Sequence, residues 1–562
     1  MEPTPPTPAP VSDRQGPAAR HPAAGATGAG PRSWAAAAGG VSAALTLAVA
    51  ELAAAVVGPG SSPVNAVGSA FVDATPAWLK DAAIAAFGVH DKTALVVGIL
   101  LVLAVVAAAT GLAARRSGPL GTALVLALGA VGAVAAATRA DAPALAALPS
   151  LVGAAAGAVA LNRLVARAGP GPVAPEHAHR DEAGDAGGQT GADEHEADLT
   201  RSPASALPDR RAFLRAATLV TVLAAVGGVA AATVNGVGRV AVAARDRILL
   251  PRPRRSAAPV PAGAQAPVDG VVDVVTRNDD FYRIDTALTV PRVDPATWEL
   301  RVHGLVEREV TLTFDELLAS DLVEAHVTLA CVSNPVGGDL VGNALWLGLP
   351  VRELLARAVP RPDADMVLST SVDGFTASTP LEVLTDDRDA LLAVGMNGAP
   401  LPLEHGFPVR MVVPGLYGYV SATKWVTDLE VTRFADQDAY WTVRGWSPQG
   451  PVKTSSRIEV PRTGATLPAG EVAVGGTAWA QHRGVVGVEV QVDTGPWVAA
   501  TLADEISVDT WRQWSWTWDA EPGEHVIRVR AADPEGSQTG DEAPVVPDGA
   551  TGWHEIRVTV RG

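Results

Sequence analysis

The sequence predicts three regions in order: an all-α transmembrane bundle of about five helices, an α+β domain, and a C-terminal β-sandwich of immunoglobulin type. Three observations carry this. Apolar runs of membrane-spanning length recur up to about residue 234, mixed helix and strand patterns follow to about residue 452, and the pattern is strand-like from there to residue 562.

Residues 1–32 are rich in Pro, Ala and Gly, carry Arg14, Arg20 and Arg32, and read as a disordered cytoplasmic tail. The transmembrane region is expected over 33–236, with spans at about 34–57, 93–114, 120–137, 144–161 and 216–234. A helix needs roughly 20 apolar residues to cross a bilayer. One Ala-rich run alone also suits a buried soluble helix; five together do not. The loop charges Arg115, Arg116, Arg163, Arg167, Arg210, Arg211 and Arg215 all fall inside if the N-terminus is cytoplasmic. Five spans then put everything after about Asn235 on the outer face of the plasma membrane. The run DRRAFLR, with Arg210 and Arg211 ahead of Phe213 and Leu214, also resembles a twin-arginine export signal, beside the plainer reading as positive-inside charge.

The acidic cytoplasmic loop at 168–209 contains His177, His179 and His195, which read as solvated rather than metal-binding. No span contains His, so a bis-His haem inside the bundle has no ligands. Glu51 is the sole ionisable residue in the spans, which makes anchoring the expected role of the bundle. The formal net charge of −17 gives nucleic-acid binding no electrostatic support.

A Pro-rich linker at 237–270 leads into the α+β domain at 271–452. There 298–306 alternates and ends at a turn, as a strand does; 313–318 reads as a short capped helix, and 351–358 as another. From 453 to 562, runs at 471–479, 485–492, 511–518, 526–531 and 555–560 alternate between Gly, Pro and Asp turns. That spacing predicts the sandwich. Within it, WRQWSWTW at 511–518 reads as a strand whose tryptophans fill a core and an interface.

Cys331 is the only cysteine, so the chain has no internal disulfide and no multi-thiolate metal site. Three readings are open: a small buried hydrophobe, a nucleophile served by His303, His326 or His405, or a single thiolate on a metal. The flanking PVGGDLVGNALWLGLPVREL favours the third, because its glycines let backbone approach a large group closely.

The segments TLACVSNPVGGDLVGNALWLGLPVRELL and LAVGMNGAPLPLEHGFPVRMVVPGLYGYVSATKWVTDLEV resemble the molybdopterin-dependent oxidoreductases of the sulfite oxidase family, from about Arg277 to the C-terminus. The resemblance implies a molybdenum cofactor with Cys331 as the protein thiolate on the metal. It also implies pterin contacts at Asn278, Phe281 and Tyr282, at Ser371 and Asp373, at His405 and Arg410, and at Ser421 and Lys424, the last pair on the phosphate. Arg and Lys donors suit an anionic phosphate. On the substrate side it suggests Arg283, Trp346, Tyr440 and Arg512. The family's sulfite enzymes carry an Arg five residues after the Cys, where this chain has Val336, so a less basic pocket is expected.

The expectation is therefore a membrane-anchored enzyme with a small-molecule substrate, transferring an oxygen atom to sulfite or a related sulfur compound. Nothing in the chain resembles the haem domain of the animal enzymes, so electrons pass to an external carrier, a cytochrome c or a quinone-linked protein. The family's terminal sandwich suggests a homodimer. Two alternatives stand beside this: reduction of sulfoxides such as oxidised methionine, and a non-catalytic surface binding protein.

Overall fold

The computed structural model describes residues 31–75, 91–139, 142, 144–167, 210–234, 242–287 and 289–562. Nearly all of the tail, and the acidic loop at 168–209, lie outside the described residues. Among the described residues four helices are long and apolar enough to cross a membrane: Arg32–Val57, Val97–Arg116, Gly118–Ala137 and Leu148–Arg167. The run expected as a fifth span forms the helix Arg210–Val234, whose shorter apolar stretch is Phe213–Val226. The fourth span begins later than expected because Pro149 is tolerated only in a first helical turn. A further helix, Pro63–Ala74, was not anticipated: its 12 residues are too few to register as a span.

Small residues let these helices touch. A Cβ on Gly39 would collide with the Ala107 carbonyl, and one on Gly111 with the Ala35 carbonyl, so the helices Arg32–Val57 and Val97–Arg116 meet backbone to backbone. Gly39→Val is expected to force them apart, lowering stability by about 1–3 kcal/mol; a drop in thermal midpoint of the detergent-solubilised full chain checks this. Glu51 is not bare, since Ser62 Oγ donates to its carboxylate at 2.6 Å. The bundle meets the rest of the chain where Arg139 donates to the Asp373 carbonyl at 3.1 Å.

The middle region holds two sheets. One orders the strands Val310–Thr313, Glu299–Gly304, Val426–Thr432, Met366–Ser371 and Thr376–Pro380, with the second and third parallel. Leu300 and Val302 alternate into the core with exposed neighbours, as the sequence predicts. Thr313 caps the helix Phe314–Leu318: its hydroxyl accepts the Glu316 N–H at 3.3 Å, and Glu316 accepts the Thr313 N–H at 2.9 Å. The other sheet runs Val323–Ala330, Val341–Pro350 and Leu391–Met396, the last pairing also with Ala399–Pro400 and Arg410–Val412. Cys331 follows the first strand of this second sheet, and Arg410 begins its last.

The C-terminal region is β-rich, with a four-stranded sheet built on Gly470–Trp479 and Arg512–Ala520 and a six-stranded sheet built on Gly523–Asp533 and His554–Arg561. Trp514, Trp516 and Trp518 occupy alternate positions and pack with Val474, Val490 and Ile527. Trp511 leaves that face and joins the core of the middle region, its indole donating to the Val274 carbonyl and its backbone N–H to Thr328 Oγ1, both at 2.8 Å. One tryptophan-rich run thus fills a core and an interface.

Candidate active site

Cys331 is the first residue after the strand Val323–Ala330. The loop that follows is pinned by its own backbone: Cys331 N–H donates to the Leu340 carbonyl at 2.9 Å, and Asn334 Oδ1 accepts the Leu340 N–H at 2.9 Å. Gly337 takes φ +76°, and a Cβ there would strike the His554 ring, so glycine is required on both counts. The thiol is buried. Burial pushes it up, against hydrogen bonds from Ser333 that favour the thiolate.

Cys331 lines two cavities. The inner one, about 130 Å³, is walled by Phe281, Tyr282, Ser371, Asp373, His405, Arg410 and Lys424, together with Trp441 and Trp446. Phe281 stacks on Tyr282 with ring centroids 5.2 Å apart and meets His405 edge-on at 5.6 Å. His405 Nε2 lies 3.1 Å from the Asn278 carbonyl. Burial, then the charges of Arg410 and Lys424, push that imidazole down to about 4, so it is neutral near pH 7. Ser371 Oγ donates to the Asp373 carboxylate.

The cations of this cavity are buried. Arg410 donates to the carbonyls of Met411 and His405 at 3.3 and 3.2 Å, and burial pulls it down to about 10. Lys424 Nζ lies 2.6 Å from Asp285 Oδ2, an atom that also accepts from Arg283 Nε at 3.0 Å. Burial pulls Lys424 down to about 8 although Asp285 opposes this. Trp446 Nε1 is a buried donor with no partner among the described residues. A guanidinium held only by carbonyls and an orphaned indole N–H around one cavity suit an anionic ligand rich in acceptors. By these donors the inner cavity fits a molybdopterin. Among the described residues no three His, Cys, Asp or Glu side chains gather as a metal site, so a metal here would have to arrive on such a ligand with Cys331 as its protein donor.

The outer cavity, about 330 Å³, lies on the other side of Cys331, between the middle and β-rich regions. Asn334, Val336 and Tyr417 line it from the former, and Lys453, Arg483, Asp533 and Glu535 from the junction and the β-rich region. Burial pushes the Tyr417 phenol up to about 12.

Of the residues expected to touch pterin, Asn278 and Ser421 do not line the inner cavity. Asn278 acts from behind through its carbonyl on His405, and Ser421 Oγ is turned to the Tyr417 carbonyl at 2.9 Å. The four substrate-side expectations do not reach the outer cavity. Trp346 is fully buried, its indole donating to the Val327 carbonyl at 3.1 Å and its ring 5.0 Å below the Arg410 guanidinium. Arg283 is held by Asp285. Tyr440 packs behind the inner cavity on Phe375 and Trp441, and Arg512 donates to the carbonyls of Ala503 and Val485 within the β-rich region. Sequence reasoning missed Tyr417, Lys453, Arg483, Asp533 and Trp446; only Tyr417 stood inside a segment already singled out.

Residues 287–441 match the family model described as the oxidoreductase molybdopterin binding domain. The mitochondrial sulfite oxidase of Mus musculus is 30% identical over 335 residues, 49% of this chain and 59% of that protein. The sulfite oxidase of Gallus gallus is 32% identical over 279 residues, 41% of this chain and 60% of that protein. The uncharacterized oxidoreductase YuiH of Bacillus subtilis is 31% identical over 157 residues, 28% of this chain and 76% of that protein. The match thus spans about three-fifths of the length of the two sulfite oxidases.

Proposed function

This chain belongs to the sulfite oxidase family of molybdenum-dependent oxidoreductases, and from that premise we propose that Cys331 is its metal ligand and that the inner and outer cavities are its cofactor and substrate sides. The chain is an oxidoreductase that uses the molybdenum cofactor. When bound, that cofactor supplies two-electron oxygen-atom transfer. Arg410 and Lys424 would hold its anionic end, Trp446 would donate to an acceptor on it, and Ser371, Asp373 and neutral His405 would hold its ring heteroatoms. Phe281 and Tyr282, stacked and backed by Trp346, keep water from that side. Asn278 orients His405, and Arg283 with Asp285 orients Lys424.

The observation that carries this reading is the one thiol standing in the wall between a cation-lined cavity and a second, polar one. The substrate class proposed is a small sulfur compound that gives or accepts oxygen. In further support of the sequence reading, Val336, at the position of the sulfite enzymes' Arg, lines the outer cavity.

The same reading takes residues 33–236 as a five-span membrane anchor, 271–452 as the catalytic domain facing outward, and 453–562 as an immunoglobulin-like dimerisation domain. Electrons would pass to a separate carrier, a cytochrome c or a quinone-linked protein. Metal and pterin analysis of the full chain purified from membranes tests the core of it. Equimolar molybdenum and pterin, with dye-linked turnover, are expected; protein lacking both would sink it.

A further inference from the structure

We propose that the outer cavity selects a substrate with no net charge, and that Asp533 and Asp548 set this preference by neutralising its two cations. This rests on the assignment of the outer cavity as the substrate side. The cavity presents Lys453 and Arg483, together with the carboxylates Asp533 and Glu535. Neither cation is idle. Lys453 Nζ lies 2.8 Å from Asp548 Oδ1 and donates to the Gly549 carbonyl at 2.8 Å. Arg483 Nε lies 2.8 Å from Asp533 Oδ2, and its Nη2 donates to Thr454 Oγ1 at 2.9 Å. Asp533 is itself fixed, its Oδ1 accepting the N–H groups of Glu535 and Gly536 at 2.8 and 3.0 Å.

A dianion entering this space would be stripped of water next to two carboxylates, with each cation already paired, and that desolvation would go uncompensated. An uncharged polar molecule avoids the cost. It meets an apolar wall at Val336, an amide at Asn334 and a phenol at Tyr417, whose oxygen accepts the Lys453 N–H at 3.3 Å and so leaves its own proton for a ligand. The contrast with the inner cavity is internal to the molecule: there Arg410 donates to carbonyls only, and its charge stays available to an anion. Lys424 is paired there with Asp285, so the difference between the two sides of Cys331 is the guanidinium of Arg410, a cation that no carboxylate balances among the described residues, whereas both outer cations have one.

Sulfate and dimethyl sulfone test this directly, being tetrahedral sulfur compounds of similar shape that differ in charge. Binding of each to the full-length, cofactor-loaded protein is measured by calorimetry for the wild type, Asp533→Asn and Asp548→Asn. The wild type is expected to bind the sulfone at least as tightly as sulfate. Each variant should tighten sulfate by about tenfold, the scale of one uncovered charge, and move the sulfone by less than about threefold. Asp533 also braces a turn, so Asp548→Asn carries the test if the first variant does not fold. Cofactor-loaded wild type that binds sulfate about tenfold more tightly than the sulfone, or that binds neither, overturns the proposal alone. A preparation without molybdenum and pterin overturns the cofactor reading and this inference with it.

Discussion

Cys331→Ser is expected to lose oxygen-atom transfer by at least about a thousandfold, roughly 4 kcal/mol of barrier, while the chain keeps its fold and its pterin. The substitution is nearly isosteric, and the contacts that hold the loop, from Cys331 N–H to the Leu340 carbonyl and from Leu340 N–H to Asn334 Oδ1, do not use the sulfur. What changes is the donor. A thiolate is a soft ligand suited to this metal, whereas a serine hydroxyl is hard and gives up its proton far less readily. In the cofactor-free chain burial resists ionisation of the thiol, so the metal that Cys331 is proposed to hold would have to drive it. The residues proposed to hold the pterin, Arg410 and Lys424, have no hydrogen bond to position 331. Turnover with sulfite and with a neutral sulfoxide, read beside molybdenum and pterin content, checks the split. Undiminished turnover in the serine variant would remove Cys331 from the chemistry.

Phe281, Tyr282, Ser371 and Asp373 come from elsewhere in the chain, but Cys331, His405, Arg410 and Lys424 sit in two continuous segments whose strands lie side by side, which made that part of the inner cavity legible in the sequence. His405, Arg410 and Lys424 come from one of these, and Arg410 is bridged to Lys424 across neighbouring backbone. The outer cavity was not legible. Lys453, Arg483 and Asp533 are far apart in the chain, each reads as an ordinary surface charge, and it takes the fold of the β-rich region to gather them and its packing on the middle one to set them against Asn334, Val336 and Tyr417. Trp346 fails for a different reason. Its strand, Val341–Pro350, is buried on both faces, so alternation gives no sign of which side chains face a cavity and which face the core. Arg512 does not reach the outer cavity because its guanidinium is turned to the Ala503 and Val485 carbonyls, contacts that strand alternation gives no sign of. The regional order was legible throughout, since spans, mixed elements and alternating strands have different periods. The helix Pro63–Ala74 escaped because a short apolar helix resembles a loop between spans.

Lys424→Met is expected to weaken cofactor retention at pH 7 by about 10- to 100-fold, the scale of one charge-assisted hydrogen bond in a buried site. Lys424 is nearly inaccessible, and its ammonium is held by Asp285 at 2.6 Å and by the Glu404 carbonyl at 3.0 Å, so it is already aimed before any ligand arrives. Its depressed proton affinity adds a signature that simple misfolding would not give. Burial lowers it from the ordinary 10.5 to about 8, so the free chain carries the charge below about pH 8 and loses it above. An anion binds the protonated form, and binding therefore takes up a proton above that point. Retention by the wild type should be level below about pH 8 and then fall, by at most about tenfold per pH unit. Lys424→Arg, charged throughout, should hold retention level across that range, and Lys424→Met should be low and level. Asp285→Asn removes a group that favours the charged lysine, so the fall should begin at lower pH. Pterin retained per chain after dialysis from pH 6.5 to 9.5 reads all four proteins. A methionine variant that holds pterin as well as the wild type at pH 7 would take Lys424 out of the cofactor site.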